Sequence, residues 1–331
     1  MNMLNKVFIA GGAGFIGSHF VDRLLTQPGV TGVTVYDNLS SGRLAYLSHH
    51  QSSSKLNVIE GDISDKEHLQ RAMEQHHTVI HLASNPDIAK ALTEPSVDFD
   101  QGTLLTHNIL EAMRLTGASK ILYASGSGIY GDVGMHEITE DHGPLLPIST
   151  YGASKLAGEA LISAYCYMFD LKGLVFRFAN VVGPRQTHGV GFDFIAKLKS
   201  NPNELTILGD GRQSKSYIYV SDVINAVLWA NEKVQESFAA FNVATDDYIT
   251  VTEIAKIAID RVVGDSSKVK LNYAGGSRGW KGDIPVVRLN TEKIKRLGWR
   301  CQHSSSQAIA KSIDEMLNHN FLVLEDHKTN G

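Results

Sequence analysis

Residues 11–17, Gly-Gly-Ala-Gly-Phe-Ile-Gly, restrict what this chain can fold into more than any other stretch. They follow the short apolar run Lys6–Ala10 and lead into Phe15–Thr26, where apolar residues recur at helical spacing. Glycines at such a junction permit a tight turn and let backbone N–H groups approach an anion at the helix N-terminus. The helix dipole also favours negative charge there. Gly11 and Gly14 serve the turn and the approach, Phe15 and Ile16 open the helix above it, and Gly17 lets helix and strand pack closely. A glycine cluster alone marks only a turn; the strand before it and the helix after it make it a phosphate cradle.

The first half of the chain repeats that alternation. Strands are predicted at Lys6–Ala10, Gly32–Asp37, Leu56–Glu60, Thr78–Ala83, Lys120–Ser125 and Leu174–Phe178. Helices are predicted at Phe15–Thr26, Lys66–Gln75, Ser96–Leu115 and Thr150–Phe169. Strands joined through helices imply right-handed crossovers and an α/β fold, a Rossmann-type doubly wound parallel sheet with ligands beyond the carboxyl ends of its strands. After Gly183 the loops turn rich in Gly, Asn and Ser and the elements shorten. The expected division is a cofactor-binding domain over 1–183 and, over 184–324, mainly a smaller α/β substrate lobe. Some later segments would return to the main sheet, and 325–331 would form a frayed tail.

Composition narrows the partners. A net charge of −4 with no block of like charge gives no reason to expect nucleic acid or an anionic membrane. The two cysteines, Cys166 and Cys301, have no metal-ligand spacing and make no disulfide framework, which suits a reducing cytoplasm. No signal peptide or membrane-spanning run is expected. No metal site is expected either: pairs such as His49-His50 and His76-His77 lie in polar stretches and read as solvated loop histidines.

Asp37 ends the second strand about 20 residues beyond the glycines, where a carboxylate accepts the ribose hydroxyls of NAD and repels the extra phosphate of NADP. A solvated strand-end carboxylate is the competing reading. Gly61-Asp62-Ile63 sits where it would bracket an adenine, and His81-Leu82-Ala83-Ser84 where it would lie along the pyrophosphate and nicotinamide ribose; either stretch alone could be a strand exit. Tyr151 and Lys155 lie one turn apart on one face of a helix. A phenol near pKa 10 is a poor base at neutral pH, and a neighbouring ammonium together with the positive nicotinamide ring would lower that value.

The ordered series Gly11–Gly17, Asp37-Asn38-Leu39, Gly61-Asp62-Ile63, His81-Leu82-Ala83, Ile129-Tyr130-Gly131, Tyr151–Lys155, Arg177–Pro184 and Tyr217–Asp222 resembles the extended short-chain dehydrogenase/reductase family. Within it the likeness is to NAD-dependent sugar-nucleotide epimerases and dehydratases of the UDP-glucose 4-epimerase kind. The resemblance implies a nucleoside-diphosphate sugar in a cleft between the lobes. Asn180 would contact its diphosphate, the loop bearing Lys215 and Tyr217 would cover it, Asp283 would lie near the nucleotide, and Asn38 would join Asp37 at the cofactor. It also implies a homodimer through the helical stretches Ser96–Leu115 and Thr150–Phe169.

Departures from the family pattern bear on the reaction. The Ser or Thr expected four residues before Tyr130 is Gly126, so Ser125, Ser127 or water must supply its hydroxyl, unless both serines merely shape the loop. Dehydratases resemble one another in carrying Asp-Glu, or at least Glu, where Ser127-Gly128 stand, so dehydration is disfavoured. One family arginine falls at Lys215 and another at Trp280, flanked by Arg278 and Lys281. A phosphate contact from Arg278 or Lys281, stacking by Trp280 and core packing of Trp280 are all open. The expected activity is an NAD-dependent sugar-nucleotide 4-epimerase. The alternatives are a 4-dehydrogenase or ketoreductase, a 4,6-dehydratase, and a catalytically silent NAD-binding regulator.

Overall fold

The computed structural model describes residues 4–318; the tail at 325–331 lies outside them. Strands β1 (Lys6–Ala10), β2 (Gly32–Asp37), β3 (Leu56–Glu60), β4 (Thr78–His81) and β5 (Lys120–Gly126) alternate with helices α1 (Phe15–Leu25), α2 (Lys66–Met73) and α3 (Leu105–Thr116). Then come β6 (Glu137–Ile138), α4 (Thr150–Met168), β7 (Lys172–Phe178), β8 (Asn180–Val182), α5 (Val190–Ser200), β9 (Glu204–Ile207), β10 (Ser214–Lys215), β11 (Tyr217–Tyr219), α6 (Val220–Lys233) and β12 (Phe238–Val243).

Seven parallel strands form one sheet in the order β12-β7-β5-β4-β1-β2-β3. The chain winds outward from β1 through β2 to β3, then crosses back to place β4 on the other side of β1. That reversal opens a crevice at the carboxyl ends of β1 and β4, where ligands of such sheets bind. Both faces of β1 are covered: Val7 and Ile9 pack into one core, Phe8 and Ala10 into the other. Burial on two faces explains why the strand reads as a continuous apolar run.

Four differences from the sequence reading have local causes. β4 stops at His81 because the N–H groups of Leu82 and Ala83 both donate to one carbonyl, that of Ala10, which ends the ladder. The expected helix Ser96–Leu115 forms as one continuous helical stretch over 97–116, but its part at Phe99–Leu104 is π-helical and leads directly into α3. Gly102 in that turn presses against α4 so closely that a Cβ there would lie 1.9 Å from Ser154 Oγ. β12 is a later segment that returns to the main sheet, as expected of some, though no alternation pattern marked which; β11, however, pairs with β8 across the expected boundary at 183. Finally, the paired histidines are not loose. His76 is buried, with Nε2 2.9 Å from Thr34 Oγ1 and Nδ1 3.1 Å from Met73 O. His49 and His50 both reach Asp22.

Candidate active site

The crevice is a cleft of about 1090 Å³ that runs from the glycine turn to the 280–287 segment. Its floor at one end is the turn after β1. Gly11 has φ +83°, and a Cβ there would meet Ala83 N at 2.8 Å; one on Gly17 would fall 2.2 Å from Gly11 O. Close packing of helix on strand therefore demands both glycines. No side chain caps the N-terminus of α1, and a Cβ on Gly14 would meet only Gly11 O, at 3.4 Å. The first turn of α1 thus faces the cleft bare, as a pyrophosphate requires.

Asp37 is buried and doubly held: Oδ2 accepts from Ala13 N and Oδ1 from Leu39 N, each at 2.9 Å. Burial raises its pKa and those two hydrogen bonds oppose the rise. Asp62 accepts from Ser64 N and from Asn38 Nδ2, each at 2.8 Å; the Ser64 hydroxyl first, then Asn38, hold it below the usual carboxylate range. Phe15, Ile16, Ile63, Leu82 and Ala83 line the same half. The uncapped helix end, the ordered carboxylate and the open face of Gly14 fit a dinucleotide.

At the centre of the cleft stand Tyr151 and Lys155, presented by the first two turns of α4. Ser149 starts that helix by accepting from Gly152 N at 3.1 Å. Lys155 Nζ donates to Ala124 O at 2.8 Å and lies 5.6 Å from the centre of the Tyr151 ring. Burial pushes the Lys155 ammonium down to about 8, against the charges of Glu159 and Asp98. Burial also pushes the Tyr151 phenol up to about 12; a hydrogen bond with Ser84 opposes this and the Asp98 charge adds to it. Burial is thus the largest influence that the protein itself exerts on the phenol.

The two serines have different fates. Ser125 is buried, and its Oγ donates to Glu159 Oε1 at 2.5 Å. Glu159 is ion-paired with Arg177 at 2.8 Å, both side chains being almost fully buried. Ser125 thereby serves the sheet. Ser127 is half-buried, lines the cleft and makes no hydrogen bond through its hydroxyl among the described residues. A Cβ on Gly126 would find nothing nearer than Phe178 O at 4.0 Å, so the glycine leaves an open place beside Ser127.

In the other half of the cleft Asn180, Lys215, Tyr217 and Asp283 all line the wall. Asn180 Nδ2 donates to Ser216 O at 3.3 Å. Lys215 Nζ contacts Asp283 Oδ1 at 2.6 Å, so its charge is already matched. Arg278 is the exception. It does not line the cleft; its guanidinium pairs with Asp132 and donates to Asp283 O at 2.6 Å, which fastens the 278–283 turn. Lys281 is likewise absent from the wall. Trp280 lines it, half-buried over Gly282 rather than in the core.

Sequence reasoning placed Ser84 beside the cofactor, not against Tyr151, and missed Asp98 and the Glu159–Arg177 pair. Asp98 is buried and accepts from Asn85 Nδ2 at 2.9 Å and Thr150 Oγ1 at 2.6 Å, tying the π-turn segment to the start of α4. The only available signal was Glu159 itself, a charge on the inward face of α4.

Residues 7–244 match the family model described as NAD dependent epimerase/dehydratase family. A putative UDP-glucose 4-epimerase of Methanocaldococcus jannaschii is 31% identical over 327 residues, covering 95% of this chain and 99% of that one. Among solved structures, a UDP-galactose 4-epimerase superposes with a TM-score of 0.83 at 36% identity, covering 96% of this chain and all of the other. A DesIV double mutant, a dTDP-glucose 4,6-dehydratase from Streptomyces venezuelae with NAD and DAU bound, gives 0.86 at 26% identity over 95% and 97%.

Lys155 carries a stability cost that can be measured. Its folded pKa, about 8, lies below the ordinary 10.5. The unfolded chain therefore holds that proton more tightly, and the penalty is complete below about pH 8 and fades as pH rises towards 10.5. Lys155→Met removes roughly 3 kcal/mol of penalty at neutral pH and loses one hydrogen bond of about 1 kcal/mol. Denaturant unfolding should show the variant more stable than the parent near neutrality, with the gap narrowing in alkali; a variant less stable at neutral pH would contradict this.

Proposed function

The chain belongs to the NAD dependent epimerase/dehydratase family, and from that premise we propose that it is a nucleoside-diphosphate-sugar 4-epimerase. NAD is its cofactor, and its relatives are enzymes of sugar-nucleotide chemistry. The observation that carries the finer reading is the chemistry of the loop at the reacting end. Gly126–Gly128 packs on the first turn of α4, where a Cβ on Gly152 would lie 2.5 Å from Gly128 O, and it presents one free hydroxyl and no carboxylate. Loss of water from C5 and C6 needs an additional acid and base; reversible oxidation at C4 needs only one proton relay.

Bound NAD supplies the hydride acceptor, and its positive ring favours the phenolate that burial alone opposes. Tyr151 takes the proton of the 4-hydroxyl and hands it back once the keto sugar has presented its other face. Lys155 holds positive charge behind the phenol. Ser127 donates a hydrogen bond to the reacting oxygen in place of the hydroxyl missing at residue 126. Asp37 and the first turn of α1 hold the cofactor, while Asn180, Lys215 and Tyr217 face the nucleotide. The Lys215–Asp283 pair loosens so that the ammonium can reach the diphosphate.

A homodimer fits the exposed apolar residues at the ends of α3 and α4. Leu115, Tyr167 and Met168 are all solvent-facing, Tyr167 at 91%, and such a cluster marks an interaction face. The free thiols of Cys166 and Cys301 suit a reducing compartment, and no helix among the described residues is long and apolar enough to cross a membrane.

Incubation with individual UDP-, GDP-, CDP- and dTDP-sugars, followed by NMR of the products, tests the reading. A product inverted at C4 without lasting NADH absorbance is expected; accumulation of a keto sugar with stoichiometric NADH would overturn it in favour of a dehydrogenase. Ser127→Ala should lower kcat about 100-fold. Ser125→Ala should chiefly reduce stability, by about 1–3 kcal/mol, and Gly126→Ser should keep activity. For the dimer, light scattering at micromolar protein should give twice the chain mass, and Tyr167→Asp should shift it to the monomer.

A further inference from the structure

A second cluster of chemically capable side chains lies behind the cleft. Asp22 on α1 faces the short 3₁₀ turn Leu44–His50, whose last two residues are histidines. His49 Nε2 and His50 Nε2 each stand 2.9 Å from the same atom, Asp22 Oδ1. The two rings lie together, with centroids 4.0 Å apart. The other carboxylate oxygen, Oδ2, is held at 2.8 Å by Arg185 Nη2. Two imidazoles converging on one carboxylate oxygen is more than the helix needs: one hydrogen bond to Asp22 would satisfy either ring, and His49 is half-exposed.

We propose that Asp22, His49 and His50 form a binding site for a single divalent transition-metal ion of the imidazole-preferring kind, with Zn²⁺ as the best fit. The three candidate ligand atoms lie within 4.8 Å of one another. Zinc takes histidine nitrogen at about 2.0–2.1 Å and carboxylate oxygen at about 2.0–2.2 Å, so tetrahedral ligands sit about 3.4 Å apart. Each Nε2 needs to withdraw by only about 0.5 Å to admit the ion. Both rings stand at the end of the 3₁₀ turn, beyond its buried Tyr46 and Leu47, His49 half-exposed and His50 part-buried.

The surroundings select the kind of cation. Arg185 engages Oδ2 and would act as the outer partner that orients the ligating carboxylate, with Oδ1 turned to the two imidazoles. The same guanidinium disfavours Mg²⁺ or Ca²⁺, which seek several carboxylates, whereas two imidazoles favour zinc, cobalt, nickel or copper. Water would complete the coordination.

Such an ion would staple the 44–50 turn to α1. Tyr46, in that turn, lines the cofactor half of the cleft, and Arg185 lines it from the other side of Asp22. The ion would therefore stabilise the wall of the cofactor site without entering the chemistry.

Titration of the chelator-treated full chain with Co²⁺ tests this. A saturable complex with one equivalent and visible d–d bands is expected, displaced by Zn²⁺, with Zn²⁺ raising the melting temperature. His49→Gln/His50→Gln should lose the bands and the melting shift while its metal-free melting stays close to the parent's. His49→Gln alone, altering a half-exposed ring, should bind at least roughly tenfold more weakly, and it serves if the double variant does not fold. Absence of a one-to-one complex at micromolar metal, or bands of full intensity and affinity in both variants, would overturn the proposal.

Discussion

The buried ion pair between Glu159 and Arg177 is the interaction on which the active site depends. Ser125, Arg177 and Asn242 are neighbours in register on three adjacent strands, β5, β7 and β12. Glu159 reaches them from α4, accepting from Ser125 at 2.5 Å and from Arg177 Nη2 at 2.8 Å. Arg177 Nη1 donates onward to Tyr130 OH at 2.8 Å, and Tyr130 donates to Asn242 Oδ1 at 2.7 Å. Asn242 Nδ2 then donates to Ile138 O and Asn290 O, at 2.9 and 3.1 Å. One connected network thus fixes α4, the loop from Gly126 to Tyr130 and the edge of the sheet relative to one another. Removing one partner would leave an uncompensated buried charge, which typically costs about 3–5 kcal/mol.

That network explains why the two loop serines part company. Ser125 sits at the last inward position of β5, where the carboxylate of Glu159 claims its hydroxyl. Ser127 is two residues further on, past the end of the strand, where nothing in the sheet engages it. The glycines on either side leave the cleft open beside Ser127. The site combines a rigid frame with an open place, and Lys155 is the group whose burial works against stability within it.

The sequence made the cofactor half legible because each of its signals is local. The glycine turn, Asp37 at the next strand end and Tyr151 with Lys155 one turn apart are all spacings along a single strand or helix. β12 was not legible, since Phe238–Val243 carries no alternation and follows a helix in a region of short elements. The π turn was hidden as well, because Gly102 against Ser154 is a contact between helices. The substrate half failed where partners are remote: Asp132 draws Arg278 out of the cleft from 146 positions away, and Ser125 meets Glu159 across 34. His49 and His50 looked solvated because Asp22 lies a full crossover earlier in the chain.

The central claim is that the hydrogen removed from C4 returns to C4. A substrate nucleotide sugar carrying deuterium at C4, turned over with the enzyme and analysed by NMR, tests it most directly. The account predicts that the inverted product keeps the deuterium at C4, with none released into free reduced cofactor. Deuterium recovered at C6 would establish dehydration, deuterium in free reduced cofactor a net dehydrogenase, and either would contradict the account.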